Sequence, residues 1–200
     1  MQRPLEPDED RQRCNGDADY DLDKYRPYLN MLVRLQLDDA LKAKVDASDI
    51  VQLTLFEAHR SHEDFRGESE QQRLAWLRSI LARNLADEMR KFSRQKRNVH
   101  LEQSLQAAVC ESAIRVERWL ASEEGTPSQN AIVNEQLVGL ALALMRLPVD
   151  QRKAVEMHHL QGLSSADIAK HLGRSEVAVA GLLRRGLKKL REWMHERDPR

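Results

Sequence analysis

The chain of 200 residues holds two cysteines, Cys14 and Cys110, with no CxxC spacing and no histidine at ligand distance. That excludes a disulfide framework and a cysteine-ligated zinc site, and it suits a reducing compartment. No apolar run is long enough to span a bilayer, and the N-terminus lacks the basic-then-apolar order of a signal peptide, so no membrane partner and a cytoplasmic location are expected. No P-loop pattern is present, which argues against nucleotide hydrolysis and an enzymatic role, and no cofactor is expected. Aromatic residues make up 4% of the chain and charged residues 32%, so small, highly charged helices are expected rather than sheets. Net charge is also missing, since 32 lysines and arginines balance 32 aspartates and glutamates.

That balance hides segregation. Glu6, Asp8, Glu9, Asp10, Asp17, Asp19, Asp21 and Asp23 load the N-terminus with acid, whereas the stretch from Arg90 to Arg97 and the C-terminal region are basic. Local potential within a Debye length decides nucleic-acid binding, so a neutral total does not exclude it. Residues 1–23, with Pro4 and Pro7, carry too little apolar content to fold alone and read as an acidic flexible arm.

The most informative stretch is Gly162 to Glu192, GLSSADIAKHLGRSEVAVAGLLRRGLKKLRE. Ser164 and Asp167 form a capping-box pattern, Ile168, Ala169 and Leu172 repeat at helical spacing, Gly173 stops that helix, and Ser175 caps the next. On the second helix Val179, Leu182, Leu183, Leu187, Leu190 and Met194 fall on one side. Gly181, Arg184, Arg185, Lys188 and Arg191 fall on the other. An apolar inside, a basic outside and a short glycine-containing turn make a helix-turn-helix, whose second helix enters a DNA major groove. The competing reading is a plain helical hairpin with a solvated basic face. Gly181 sits on the outer face, where another backbone can come close, and Gly186 on the inner face, where a neighbouring helix can.

Upstream, Tyr25, Tyr28, Leu29, Leu32, Val33 and Leu35 mark a first helix over Lys24 to Leu37. A second follows in DASDIVQLTLFEAHR, capped by Asp46 or Ser48. It has two apolar stripes, one of Val51, Leu55 and Ala58 and one of Leu53 and Phe56 beside Asp49 and Gln52. Two stripes require two neighbours, so this helix is either central to its domain or offers one side to a partner. After the polar connector with Phe65, Arg66 and Gly67, a third helix from about Arg73 to Phe92 turns Leu74, Leu77, Ile80, Leu81, Leu85, Met89 and Phe92 inward. Its outer face bears Trp76, Arg83, Asp87 and Arg90. Trp76 among arginines suits stacking on unpaired bases, or else it packs against the preceding loop. Periodicity weakens over residues 98–133, apart from a short helix at Ala113 to Leu120, and this stretch reads as a tether. Helices from Asn134 to Leu147 and, capped by Asp150, from Gln151 to Leu160 then support the helix-turn-helix.

Together these segments resemble the bacterial sigma-70 family of RNA polymerase sigma factors, of the extracytoplasmic-function type. DASDIVQLTLFEA resembles the family's polymerase-clamp helix, and FRGESEQQRLAWLRSILARNLADEMRK its promoter-melting segment. LPVDQRKAVEMHHLQGLSSADIAKHLGRSEVAVAGLLRRGLKKLRE resembles its promoter-binding C-terminal domain. The resemblance implies an all-α chain of two small helical domains joined by a flexible linker: region 2 over 24–97, linker over 98–133, and a winged-helix-like region 4 with the helix-turn-helix over 134–197. It implies core RNA polymerase and promoter DNA, duplex and single-stranded, as partners, with an anti-sigma factor as a further candidate. It places Asp49, Gln52, Leu53 and Phe56 on the polymerase and Phe65, Arg66, Gly67, Trp76, Arg83, Asn84, Asp87 and Arg90 on the minus-ten element. Arg174, Ser175, Ala178, Gly181, Arg184, Arg185 and Lys188 go on the minus-thirty-five element. The chain departs from the common family pattern at Ala180, Gly181 and Leu182, where a basic or hydroxyl residue is usual, which shifts recognition toward phosphate contacts and DNA shape.

Two alternatives have their own sequence tests. An autonomous helix-turn-helix regulator would explain the basic face but not the second stripe around Leu53 and Phe56. A metalloenzyme would need Glu156, His158 and His159 to converge. Adjacent histidines on a helix point about 100° apart, so they do not.

Overall fold

Eight α-helices and no strand are present among the described residues, which are 21–37, 44–92, 99–124 and 130–197 of the computed structural model. The acidic arm as far as residue 20, and the basic stretch 93–98, lie outside them. A turn at Leu22–Tyr25 leads into α1 (Arg26–Gln36); α2 is Ala47–Arg60, α3 Glu70–Phe92 and α4 Val99–Glu124. Next come α5 (Asn130–Arg146), α6 (Val149–Val155, prolonged by a π turn Glu156–Leu160), α7 (Ser165–Leu172) and α8 (Glu176–Arg197). With no strand among the described residues, the helix-turn-helix stands without a β wing.

Local chemistry accounts for most boundaries. Asp46 accepts the Ser48 N–H at 2.8 Å and starts α2. At the head of α3, Ser69 Oγ accepts the Gln72 N–H at 3.2 Å while Gln72 Oε1 accepts the Ser69 N–H at 3.1 Å. This reciprocal capping box begins the helix at Glu70, a turn before the periodicity suggests. Helix α6 begins at Val149, after Pro148 in an extended conformation. Asp150 therefore lies inside the helix and does not cap it; its carboxylate accepts instead from Arg174.

The largest departure concerns residues 98–133. Most of that stretch is the 26-residue helix α4, and Leu105, Val109, Ala113, Val116 and Leu120 on its inner face are buried. Arg78 Nη1 on α3 donates to Glu117 of α4 and to the Tyr28 hydroxyl of α1, each at 3.2 Å, tying three helices together.

The N-terminal helices and the C-terminal helices share one apolar core, which runs from Leu22 through Leu81 and Leu144 to Val155, Leu160 and Leu190. Polar contacts seal the seam. Arg34 pairs with Glu156 at 3.3 Å, Gln161 Nε2 donates to the Leu35 carbonyl at 2.9 Å, and the Trp119 and His159 rings stack at 4.7 Å. A second, smaller core of Ala154, Met157, Ile168, Ala169, Val179 and Leu182 joins the helix-turn-helix to α6 and its π turn.

Candidate nucleic-acid interface

The helix-turn-helix is assembled from short-range contacts. Ser164 Oγ accepts the Asp167 N–H at 3.1 Å and starts α7. Gly173, at φ 61°, ends it in the left-handed conformation. Ser175 Oγ then accepts the Ala178 N–H at 3.2 Å and starts α8. Val179, Leu182 and Leu190 are buried, Leu183, Leu187 and Met194 are half-buried, and Arg184, Arg185 and Lys188 are exposed. Gly186 faces inward as expected. A Cβ there would lie 2.9 Å from Val155 Cγ2 and 3.6 Å from the Gln151 carbonyl oxygen, so α6 and α8 cross at glycine distance. At Gly181 a Cβ would meet only the Arg185 guanidinium, at 3.2 Å.

Charge on this surface is unevenly compensated. Arg174 is held by Asp150, across the turn from α6, and Lys188 lies 3.9 Å from Glu192. Among the described residues, Arg184 and Arg185 have no carboxylate partner. Two uncompensated guanidinium groups beside a small-residue stretch, on a rigid helix, can neutralise phosphates on a duplex that approaches closely.

The second surface is built on α3 and the loop before it. The Phe65 ring lies over Gly67, where a Cβ would come within 2.3 Å of it, and stacks on Trp76 at 4.9 Å between centroids. Of the two readings of Trp76, packing against the preceding loop is the one the structure shows. The ring positions Phe65 and does not stand open. Arg66, Arg83 and Asp87 are exposed, with Arg83 paired to Glu57 at 3.0 Å. Arg90 is half-buried and pairs with Asp87 at 2.7 Å and Glu102 at 3.7 Å.

Asn84 is a correction. It is 5% exposed, and its Nδ2 donates to Thr54 Oγ1 at 3.3 Å, while Thr54 donates to the Ile50 carbonyl at 2.8 Å. It joins α3 to α2 inside the core and presents no surface to a base. At 100° per residue Asn84 falls at the edge of the buried face of α3, and the buried Thr54 opposite it decides the matter.

The third surface is on α2. Val51, Leu55 and Ala58 are buried against α1 and α3, whereas Leu53 is 47% and Phe56 57% exposed beside exposed Asp49 and Gln52. The two-stripe pattern is thus one core face and one apolar face open to solvent. Arg60 lies 5.8 Å over the Phe56 ring. Elsewhere, His158 Nδ1 donates to the Leu163 carbonyl at 3.1 Å, His159 stacks on Trp119 and Glu156 binds Arg34. The His158 and His159 rings meet edge to face at 4.8 Å, yet each of these three side chains also has a partner outside the trio. No described helix is long and apolar enough to cross a membrane.

Residues 137–190 match the family described as sigma-70, region 4. The chain is 26% identical over 154 residues to the ECF RNA polymerase sigma factor SigX of Bacillus subtilis, covering 77% of this chain and 73% of that one. It is 29% identical over 160 residues to the ECF RNA polymerase sigma factor SigM of Mycobacterium tuberculosis, covering 78% of this chain and 66% of that one. Among solved structures it aligns with the sigma factor RpoE of Bartonella quintana, solved in complex with the anti-sigma factor NepR, at 22% identity and a TM-score of 0.34. That alignment covers 92% of this chain and 99% of the other.

Proposed function

We infer that this chain is a sigma factor of the sigma-70 family, of the extracytoplasmic-function type, which binds core RNA polymerase and directs it to promoters. The carrying observation is a combination. The family-matched residues 137–190 include the basic face of the helix-turn-helix from Arg174 to Lys188, and a separate helix, α2, holds Leu53 and Phe56 out to solvent. One surface suits a polyanion and the other suits a protein. A regulator acting alone needs only the first.

In this reading α2 docks on polymerase through Leu53 and Phe56, with Asp49 and Gln52 at the rim. Ser175, Ala178, Gly181, Arg184, Arg185 and Lys188 of the helix-turn-helix face the minus-thirty-five duplex, with Arg174 released from Asp150 to join them. Phe65, Arg66 and Gly67, with Arg83, Asp87 and Arg90, face the single strand of the minus-ten element. Trp76 serves that site by holding the Phe65 ring. Docking on one large enzyme makes each weak DNA contact effectively intramolecular, so correct spacing is what satisfies both. The chain catalyses no reaction of its own. It works in the cytoplasm, with the polymerase.

The shared core has a consequence for this mechanism. Elements centred about 25 base pairs apart are separated by roughly 85 Å of duplex, whereas a compact 200-residue chain has a radius of gyration of about 16–17 Å. The two DNA-facing bodies therefore part along the Arg34–Glu156 seam before both elements are engaged. Run-off transcription with purified core polymerase and a promoter library tests the reading. Defined start sites that depend on this chain are expected. Footprints on duplex DNA in the absence of polymerase, with no start-site selection in its presence, would replace the reading with an autonomous regulator.

A further inference from the structure

Val177 has no place in the packing of its own helix. It is 83% exposed, more than any other large apolar side chain among the described residues, and it follows the Ser175 cap by two positions. A lone exposed valine means little by itself. Its position is what distinguishes this one. At 100° per residue Val177, Gly181, Arg184 and Lys188 fall within about 60° of one another, diametrically opposite the buried Val179, Leu182 and Leu190. Val177 is thus the leading residue of the outermost row of α8, and the N-terminal residues of such a helix are those that reach base edges.

The rest of that row says what kind of partner it meets. Arg184 and Arg185, uncompensated among the described residues, follow it along the helix; Arg174 and Lys188, paired with Asp150 and Glu192, lie to either side, and with only Glu176 exposed next to Val177 on α8 the balance favours a polyanion. Ala180 is exposed and Gly181 has no side chain of its own, so what covers this part of the face is the far end of Arg185, which can swing aside. Neither can hydrogen-bond a base through its side chain. An isopropyl group thrust forward among phosphate-binding arginines finds one apolar feature in a major groove, the C5 methyl of thymine.

We propose that Val177 reads a thymine in the promoter duplex through its methyl group, so that α8 specifies one base by apolar contact where Ala180 and Gly181 offer no hydrogen bond. This rests on the promoter-binding reading above. Deoxyuracil tests it, because replacing thymine by deoxyuracil deletes the methyl and leaves pairing unchanged.

The assay uses the full chain bound to core polymerase and the strongest promoter from the run-off library. Each thymine of the minus-thirty-five region is replaced singly by deoxyuracil. One replacement is expected to weaken wild-type binding about fourfold, the effect of one buried methyl group. Val177→Ala is expected to bind the thymine promoter more weakly by a similar factor and to be indifferent to that same replacement, with its melting temperature not lowered. Wild type insensitive to every replacement, or equal sensitivity in Val177→Ala, overturns the proposal. So does a variant whose loss lies in polymerase binding instead of DNA binding. A wild-type complex that selects no promoter overturns the promoter-binding reading and this proposal with it, whereas selection without uracil sensitivity overturns this proposal alone.

Discussion

One substitution, glycine to alanine, should have opposite effects at two positions five residues apart on α8. In a helix interior alanine is favoured over glycine by about 1 kcal/mol. At Gly181 the added methyl meets only the far end of the Arg185 side chain, at 3.2 Å, which can swing away, so nearly all of that gain is kept. At Gly186 the methyl arrives 2.9 Å from Val155 Cγ2 and 3.6 Å from Gln151 Cβ. Val155 is fully buried, and as a β-branched residue in a helix it has one favoured rotamer and cannot turn aside. Overpacking of this kind costs about 1–3 kcal/mol, leaving a net loss of about 1 kcal/mol after the propensity gain. For a chain of this size each kcal/mol moves the melting point by about 2–4 °C. Thermal unfolding of the full chain should therefore show Gly181→Ala higher than wild type and Gly186→Ala lower, each by about that amount. Adding Val155→Ala to Gly186→Ala should remove the clash and give a double variant more stable than the two single losses predict. If both single variants shift the same way, or Gly186→Ala melts at or above wild type, the close crossing of α6 and α8 is wrong.

The remaining expectations are briefer. Phe56→Ala removes an exposed ring, so stability should change by no more than about 0.5 kcal/mol, while affinity for core polymerase falls roughly tenfold or more; unchanged co-purification of a Leu53→Ala, Phe56→Ala double variant removes α2 from that interface. Asn84→Ala should destabilise by about 1–3 kcal/mol in urea titration, because it strips a buried partner from Thr54. A variant with unchanged stability but lost single-strand binding would return Asn84 to the DNA surface. Glu156→Gln leaves Arg34 without its carboxylate in the seam and should enlarge the radius of gyration measured by solution scattering; identical scattering from wild type and variant would mean the pair does not hold the bodies together. Burial pushes the Tyr28 phenol above its ordinary range, with Arg78 partly opposing. The unfolded chain then loses that proton at lower pH than the folded one, so stability should fall as pH rises past about 10. Tyr28→Phe should show a shallower alkaline fall, read from urea midpoints between about pH 8 and 11.

The sequence alone determined what neighbouring residues decide. Asp46, Ser164, Gly173 and Ser175 act within a turn of the chain, so their caps and stops are where the pattern puts them. The two stripes of α2 and the basic face of α8 are likewise consequences of 3.6-residue periodicity. Helix α4 escaped because Ser112 and Ala113 sit in the middle of its inner row and alanines dilute its outer one, flattening the contrast that marks a helix face. The capping box of Ser69 and Gln72 is local too, and it sets the start of α3 at Glu70.

Only the tertiary structure could decide the rest. Whether Asn84 turns toward DNA or toward Thr54, whether Trp76 is open or covered by Phe65, and whether Asp150 caps a helix or holds Arg174 each depend on a group from another segment. So does the closure of two helical bodies over one core through Arg34 and Glu156, which are 122 residues apart in the chain. Periodicity reports which way a side chain leaves its own helix axis. It carries no information about what stands opposite, and it is the opposing group that makes a side chain a ligand, a latch or part of the core.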